Sequence, residues 1–315
     1  MIRTENLTRD FGADRGVFNI NLHVPKGTIY GFIGHNGAGK TTTIKLLCGL
    51  LKPSSGKSFI GKYEVVQKNL STIKRMIGYM PDITGVYEQM SVWEFLDFYG
   101  AAFKIPPKKR KERIEQVLAI THSEKMIDYQ VASLSRGMRQ RIGLAKTLIH
   151  DPEVLILDEP AGGLDPSARV EMRRTIKELK NLGKTILLSS HILPELASIC
   201  DIVGILNKGK LIAQGTVKEI TDMLHEALTI AVTVDSPLEQ AMELAKKIEG
   251  VEDVQTSDVN QFFIRFHGSR ETAGLILSFL MQNGVLVRWF AENEADLENV
   301  YLNITHSEPA PEKGA

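Results

Sequence analysis

A glycine-rich segment near the start of the chain has the residue types that bind polyphosphate. Residues 34–41 read GHNGAGKT and fit the spacing G-x-x-x-x-G-K-[ST]. Glycines let the backbone curl and turn its N–H groups inward, and the helix that follows adds its positive N-terminal end. Lys40 would reach the β- and γ-phosphates of a nucleotide, and the Thr41 hydroxyl would bind the accompanying Mg²⁺. The segment therefore predicts a nucleotide site.

Two adjacent carboxylates, Asp158 and Glu159, form a second candidate group. They follow the all-apolar segment 154–157, which predicts a central parallel strand. Carboxylates there are costly to bury unless they serve a ligand, and ligands bind at this edge of a parallel sheet. Asp158 is placed to hold Mg²⁺ through water, and Glu159 to orient or deprotonate the water that attacks the γ-phosphate. The alternative is a solvated acidic turn.

Three further residues each have two interpretations. His191 follows the apolar segment 184–189, so it is either a structural histidine or a γ-phosphate contact at the same sheet edge. Ser135 precedes a helix with an apolar face. It is either an ordinary N-cap or the start of a phosphate-binding helix. Phe11 lies on a loop, where it either joins the core or stacks on a base. The local sequence leaves these alternatives open.

Hydrophobic patterning predicts the elements that must position these residues. Strands are predicted at 1–7, 18–24, 29–33, 58–60, 77–80, 154–157, 184–189, 202–206 and 210–213. Helices are predicted from Lys40 onward, at 91–103 with Ser91 and Glu94 as a capping box, at 107–120, after Ser135, and from Asp165–Pro166 to about Asn181. The segment Asn207-Lys208-Gly209 is typical of a hairpin.

The composition changes after Glu219, which predicts a second domain. The pattern from residue 228 is β-α-β-β-α-β, the order of a ferredoxin-like unit, with a further helix at 296–304. This region has no catalytic cluster, so packing, dimerisation or regulation is its expected role. We therefore predict a nucleotide-binding domain at 1–219 with a helical subdomain at about 83–150, an accessory α+β domain at 220–305 and a flexible tail at 306–315.

Composition excludes several classes of protein. Lys+Arg and Asp+Glu both number 38, so no net charge favours nucleic acid as a partner. The sequence contains no 18-residue apolar run and its first ten residues lack an apolar leader, so we expect a cytoplasmic protein that does not itself cross a bilayer. Cys48 and Cys200 stand in apolar surroundings, which predicts buried free thiols.

Together these segments resemble the nucleotide-binding subunit of ABC transporters over about residues 1–219. GHNGAGKTT is similar to the Walker A motif, LSRGMRQR to the signature sequence and VLILDEP to Walker B with its catalytic glutamate. GLDP at 163–166 is similar to the D-loop, and SSH ends at the switch histidine. The resemblance implies an α/β P-loop NTPase fold with a mixed sheet and a helical subdomain, and it implies ATP and Mg²⁺ as ligands.

The resemblance also implies a role for each matching residue. Glu159 would activate water, His191 would sense the γ-phosphate and Lys40 would complete the catalytic set. Phe11 would stack on adenine. The metal would be contacted by Thr41, Asp82 and Asp158. The nucleotide would be held by Phe11, Asn36, Gly37, Ala38, Gly39, Lys40, Thr41, Thr42, Asp82, Ser135 and Gly137.

In this family the signature of one protomer caps the ATP held by the other. Ser135 and Gly137 would therefore act across a two-fold interface with a second copy of the chain. Two ATP molecules would join the subunits, and hydrolysis would release them. The movement would be transmitted to separately encoded transmembrane permease subunits, which would hold this protein at the cytoplasmic face of the cell membrane. No nucleic acid is expected.

Three positions in two motifs depart from the common family pattern. Asp82 stands where Gln or Glu is usual, and its shorter side chain makes contact with Mg²⁺ or water less direct. Arg136 and Met138 replace the usual Gly and Gln of the signature. S-R-G-M-R-Q and the later segment ADLENVYLNIT are similar to the ABC-2 type branch of exporters. Arg136 would add a positive charge near the partner's phosphate.

The resemblance leaves two competing hypotheses beside an exporter ATPase. One is a soluble ABC ATPase acting on ribosomes or DNA, but such proteins usually carry two cassettes or a long coiled-coil insertion. Here there is one phosphate loop, and the interval from Asp82 to Ser135 is short. The other is a module that does not hydrolyse ATP, which the intact Lys40, Asp158, Glu159 and His191 argue against.

Overall fold

The computed structural model divides the chain into two compact units, Met1–Val217 and Lys218–Ala315. The structure describes residues 1–82, 85, 87–192, 196–222, 228–258, 260–266 and 270–293. The helix expected at 296–304 and the tail expected at 306–315 lie outside the described residues. In the part of the chain that is described, no helix is long and apolar enough to span a bilayer.

The first unit alternates strands and helices. Its strands are β1 (Ile2–Asp10), β2 (Gly16–Ile20), β3 (His23–Val24), β4 (Ile29–Ile33), β5 (Ser55–Ile60), β6 (Tyr63–Glu64), β7 (Ile77–Met80), β8 (Val154–Asp158), β9 (Thr185–Ser190), β10 (Ile202–Asn207) and β11 (Lys210–Thr216). Its helices are α1 (Lys40–Leu47), α2 (Leu70–Met76), α3 (Val92–Ala102), α4 (Pro107–Ile120), α5 (Arg136–Leu148) and α6 (Pro166–Asn181), and α7 (Val217–Asp222) follows at the boundary.

Two sheets carry the first unit. A six-stranded sheet has the order β11-β10-β4-β9-β8-β7, in which β11 pairs antiparallel with β10 and the other pairs are parallel. Every residue of β4, β8 and β9 is buried, as expected for strands covered on both faces. The second sheet, β2-β1-β5-β6 with β3 also paired to β1, is antiparallel. The carboxyl ends of β4, β9 and β8 therefore lie side by side.

The single strand predicted at 18–24 is wrong, because the structure breaks it into β2 and β3. Thr4 causes the break: its hydroxyl donates to the Ile20 carbonyl at 2.7 Å and accepts from the Leu22 N–H at 2.8 Å. These side-chain bonds stand beside a backbone bond from the Thr4 N–H to the Leu22 carbonyl at 2.9 Å, so the ladder is irregular here. Within β2, Asn19 adopts a φ of 52°, a left-handed conformation that makes the end of this strand irregular.

The helices α3, α4 and α5 follow β7 and precede β8 in the chain, and they pack against one another. The capping box at the start of α3 is confirmed: Ser91 Oγ accepts from the Glu94 N–H at 3.2 Å, and Glu94 Oε2 accepts from the Ser91 N–H at 2.8 Å. The bounds of α4 coincide with the predicted 107–120. The sequence analysis missed α2, a short helix in which Ile73 alone is buried.

In its described part, the second unit contains a four-stranded antiparallel sheet, with two helices between its strands. Its elements are β12 (Leu228–Val234), α8 (Leu238–Ala245), β13 (Val251–Asp258), β14 (Gln261–Phe266), α9 (Arg270–Gln282) and β15 (Val287–Asn293), and the sheet order is β13-β14-β12-β15. The order along the chain is β-α-β-β-α-β. The unit has its own hydrophobic core, which includes Ile230, Phe262, Ile264 and Ile276.

Both cysteines are free thiols. Cys48 is buried as the apolar surroundings predict, whereas Cys200 is only partly buried. Burial raises the pKa of both thiols because it disfavours the thiolate. Both groups are therefore held in the protonated, unreactive form.

Candidate active site

A cavity of about 510 Å³ lies where the glycine loop joins β4 to α1. The predicted site residues that line it are Phe11, Asn36, Gly37, Gly39, Lys40, Thr41, Thr42, Asp82 and Glu159. The sequence analysis missed other lining residues, namely Asp14, Arg15, Gly16, His35 and Lys208. Ala38, Ser135, Gly137, Asp158 and His191 are not among the described residues that line it.

The glycines of the loop are required by its conformation. Gly37 has a φ of 85° and Gly39 a φ of 107°, both in the left-handed region. An added Cβ at Gly39 would also lie 2.6 Å from Val17 Cγ1. Gly39 is the N-cap of α1, so the first N–H groups of that helix face the loop without a side-chain cap. This arrangement is suited to an anion.

Lys40 is a buried cation at the base of the cavity. Its side chain is 6% exposed, and its Nζ donates to the Gly34 carbonyl at 2.5 Å. The same Nζ lies 3.2 Å from Glu159 Oε1. The strand order that places β8 beside β9, and β9 beside β4, brings these two residues together although they are distant in the sequence.

Asp158 is held by two hydroxyl groups. Thr41 Oγ1 donates to its Oδ2 at 2.8 Å, and Ser189 Oγ donates to its Oδ1 at 2.6 Å. The residue is 1% exposed. Both hydroxyls are neutral, so the described contacts leave this buried carboxylate without a compensating charge. A hydroxyl beside a carboxylate is an oxygen donor set that fits Mg²⁺, which takes one or two carboxylates and completes its shell with phosphate and water.

Glu159 lies between a lysine and a histidine. Its Oε2 is 2.9 Å from His191 Nδ1, and its Oε1 is within ion-pair distance of Lys40. Oε1 is nevertheless buried and receives no hydrogen bond from any described residue. The backbone of Glu159 has a φ of 49°, and its N–H donates to Ser189 Oγ at 3.0 Å. A buried oxygen that lacks a donor can accept a hydrogen bond from a water molecule.

Phe11 and Asp82 stand at the rim of the cavity. Phe11 is 48% exposed, and the Arg9 guanidinium carbon lies 5.0 Å from its ring centroid. A Cβ added at Gly162 would lie 3.7 Å from Asp82 Oδ1, so Asp82 approaches the turn that follows Glu159. The roles of both residues remain predictions.

The signature residues lie elsewhere in the same unit. Ser135 is the N-cap of α5 and its Oγ accepts from the Met138 N–H at 3.3 Å. An added Cβ at Gly137 would lie 3.4 Å from Ala168 Cβ, at the start of α6. The ordinary capping role is thus present, and a phosphate-binding role would need an ATP from outside the described cavity.

Long-range backbone contacts bring Lys208 to the cavity. The Gly209 N–H donates to the Ala38 carbonyl at 3.0 Å, and the Phe18 N–H donates to the Gly209 carbonyl at 2.7 Å. These bonds place the β10–β11 turn, with Lys208, against the phosphate loop. Ser189 could have been identified from the sequence as a site residue, because it is a polar residue near the end of an otherwise apolar strand.

Known proteins resemble this chain in sequence and in fold. The family described as ABC transporter matches residues 17–162. The bacitracin transport ATP-binding protein BcrA of Bacillus licheniformis is 36% identical over 99% of this chain and 95% of its own length. The chain belongs to the ATP-binding subunits of ABC transporters. It is therefore an ATPase that binds and hydrolyses ATP as part of a transporter, which confirms the function expected from the motifs.

Two other comparisons agree with this ABC assignment. The Nod factor export ATP-binding protein I of Cupriavidus metallidurans is 32% identical over 98% of both chains. A solved ATP-binding subunit of an ABC transporter is 30% identical, with a TM-score of 0.64 over 71% of this chain and 93% of that one. The predicted α/β P-loop fold is confirmed. The assignment favours a transporter subunit over a soluble ATPase that acts on ribosomes or DNA.

Proposed function

We propose that this ABC ATPase cleaves ATP in the cavity above β4 and α1, with Glu159 as the general base. One observation carries the proposal. The Glu159 carboxylate is held between Lys40 and His191: its Oε2 contacts His191 Nδ1 at 2.9 Å, and its buried Oε1 forms an ion pair with Lys40 Nζ at 3.2 Å but no well-directed hydrogen bond. A water bound there would be oriented by a carboxylate that is itself held in place on two sides.

The other residues of the cavity bind and orient the substrate. Backbone N–H groups of the loop Asn36–Gly37–Ala38–Gly39 and of Lys40, Thr41 and Thr42 surround the phosphates. The Lys40 ammonium group turns from the Gly34 carbonyl to the β- and γ-phosphates. Phe11 stacks on adenine with the ring face that Arg9 does not cover. His191 contacts the γ-phosphate while its Nδ1 holds Glu159.

Thr41 and Asp158 would hold Mg²⁺, and Asp82 would approach the ion or the water. The support is the buried pair of Thr41 Oγ1 and Asp158 Oδ2, whose oxygen atoms suit a hard cation. When bound there, Mg²⁺ would neutralise negative charge that develops on the phosphate oxygens. Ser189 positions Asp158 by donating to its second oxygen.

A second copy of the chain would complete the site. Ser135 and Gly137 are at least partly exposed at the N-terminal end of α5, and they do not line their own described cavity. The positive end of α5 suits a phosphate, so these residues act on the ATP of the partner across a two-fold axis. Closure of the pair over two ATP molecules precedes cleavage.

Separately encoded permease subunits would couple this cycle to transport, most simply to export. Support comes from the Nod factor export relative and from the branch-like signature S-R-G-M-R-Q. Binding to a permease places the subunit at the cytoplasmic face of the cell membrane. No feature of the charge distribution requires nucleic acid as a partner.

The substitution Glu159→Gln tests the proposed chemistry. It keeps the size of the side chain and removes its basicity, so ATP binding remains while turnover slows by about 10²- to 10⁴-fold, the usual weight of a general base. Phosphate release by the purified chain measures the rate. Glu153→Gln is the matched control, because Glu153 is exposed just before β8. An undiminished rate in Glu159→Gln would remove Glu159 from this role.

A further inference from the structure

Arg136, the unusual residue of the signature, lies directly on the loop that follows Glu159. An added Cβ at Gly163 would be 2.3 Å from Arg136 Cζ and 2.5 Å from both Nη1 and Nη2. Since the two terminal nitrogens are equally distant and the central carbon is nearest, the guanidinium presents its plane to Gly163. Gly163 has a φ of 65° as well. The conformation therefore favours glycine, and a larger residue would also have to displace the end of the exposed Arg136 side chain.

Gly163 is tied to Glu159 by a short hydrogen-bonded loop. The Gly162 N–H donates to the Glu159 carbonyl at 2.9 Å, and the Leu164 N–H donates to the Ala161 carbonyl at 3.3 Å. Glu159 itself has a positive φ, so this loop leaves β8 through two left-handed residues. A displacement of Gly163 would be passed to the Glu159 carboxylate through the few residues between them.

The start of α5 and the start of α6 pack side by side around this contact. An added Cβ at Gly137 would lie 3.4 Å from Ala168 Cβ and 3.9 Å from Leu164 Cδ2. Further along both helices, Arg141 Nη1 is 3.3 Å from Glu171 Oε2. The N-terminal ends of α5 and α6 therefore pack against each other. Arg136 lies over Gly163, in the loop between Glu159 and α6.

We propose that Arg136 is a positioning residue for ATP hydrolysis. By covering Gly163 it fixes the loop that carries Glu159 relative to Ser135, its neighbour in the sequence. The proposal rests on the function proposed above for Glu159 and Ser135. It differs from the expectation that Arg136 acts as a charge near the partner's phosphate. Lys40 and Phe11, which are proposed to bind ATP, take no part in this contact. Loss of the contact therefore lowers kcat and leaves the KM for ATP unchanged.

The test compares variants of the full-length chain by steady-state phosphate release. Arg136→Ala is expected to lower kcat by about tenfold to a hundredfold, the range that a small misplacement of catalytic groups produces. Arg136→Lys behaves like Arg136→Ala, since an ammonium group has no plane to lay on Gly163. Arg174→Ala is the matched control: it removes a surface arginine of α6 that pairs with Glu178, and it keeps the wild-type rate.

A double-mutant cycle tests the contact itself. Gly163→Ala lowers kcat because the new Cβ collides with the guanidinium. In the Arg136→Ala background that collision is gone, so the combined loss falls short of the product of the two single losses. Thermal unfolding of each variant shows that it is folded. The cycle can be repeated with Arg136→Lys should the alanine variant not fold.

Three results would overturn the proposal. The first is an unchanged kcat in Arg136→Ala. The second is full activity in Arg136→Lys, and the third is a raised KM with an unchanged kcat in Arg136→Ala. The second and third results would indicate that Arg136 acts as a charge that binds the partner's phosphate. Glu159→Gln separates this failure from that of the proposed function. A slow Glu159→Gln beside a fully active Arg136→Ala rejects the positioning role alone, whereas a fully active Glu159→Gln rejects the proposed function.

Discussion

Lys40 is the residue on which nucleotide affinity depends most. It is a buried ammonium group, and its described partners are the Gly34 and His35 carbonyls and the Glu159 carboxylate. Burying a charge is costly unless it is paired, and an incoming phosphate offers a stronger partner than a carbonyl. Its position next to both the loop and the proposed base supports the proposal that the lysine contributes to binding and to catalysis.

We predict that Lys40→Ala weakens ATP binding by about tenfold to a hundredfold, the equivalent of one hydrogen bond to a charged group. Isothermal titration of the purified chain with ATP measures the change. Lys45→Ala serves as the control, because Lys45 is an exposed lysine of the same helix α1. An unaltered affinity in Lys40→Ala would contradict the phosphate-loop assignment.

Motif spacing predicted the residues that lie within one strand-loop-helix segment or at one strand end. Lys40, Thr41, Asp158 and Glu159 fall in that class. Lys208 does not, because its place beside the loop depends on a backbone bond between Gly209 and Ala38, residues far apart in sequence. Local sequence has no information on such a bond, so the rim of the cavity could not be predicted.

At the scale of elements, His150 joins three segments of the helical subdomain. It follows α5, its Nε2 is 2.9 Å from the Ile77 carbonyl at the start of β7, and its ring stacks on Phe103 after α3 at 3.8 Å. Burial lowers the pKa of His150. The bond to Ile77 and the charge of Asp151 oppose this shift, whereas the positive charges of Arg113 and Lys184 add to it.

The lowered pKa predicts a dependence of stability on pH. The unfolded imidazole binds its proton at a higher pH than the folded one, so the stabilising contribution is complete above about pH 6.5 and is lost as the pH falls toward the folded pKa. Urea unfolding measures the free energy of unfolding at neutral and at mildly acidic pH. The decrease between the two pH values should be smaller in His150→Gln than in the wild type. His23→Gln, at an exposed histidine, should follow the wild type. Equal losses in all three proteins would contradict the account.

Elements were predictable where local signals and tertiary packing agree. The Ser91–Glu94 capping box and the proline at the start of α4 fixed those helix ends. The predicted strand at 18–24 failed because Thr4, on another strand, supplies side-chain bonds that break it. The short α2 was missed because a helix with a single buried residue has no measurable periodicity.

At the scale of the whole molecule, each unit has its own core, so the two should unfold separately. Calorimetry is expected to show two unfolding transitions. ATP with Mg²⁺ should raise the midpoint temperature of the first unit's transition only. Phe262 lies in the core of the second unit. Phe262→Ala should therefore lower the free energy of unfolding of the second unit by about 3–5 kcal/mol. A single transition that shifts as a whole in both experiments would show that the units unfold together.

The central claim is that two copies of the chain close over ATP before it is cleaved. Glu159→Gln should trap this state, because it binds ATP but hydrolyses it slowly. Light scattering of the purified variant with Mg²⁺ should therefore give about twice the 35.0 kDa of one chain in ATP and a monomer in ADP. Adding Lys40→Ala to the same variant should abolish the pairing. A Glu159→Gln protein that binds ATP and stays monomeric, even with its permease supplied, would contradict the account.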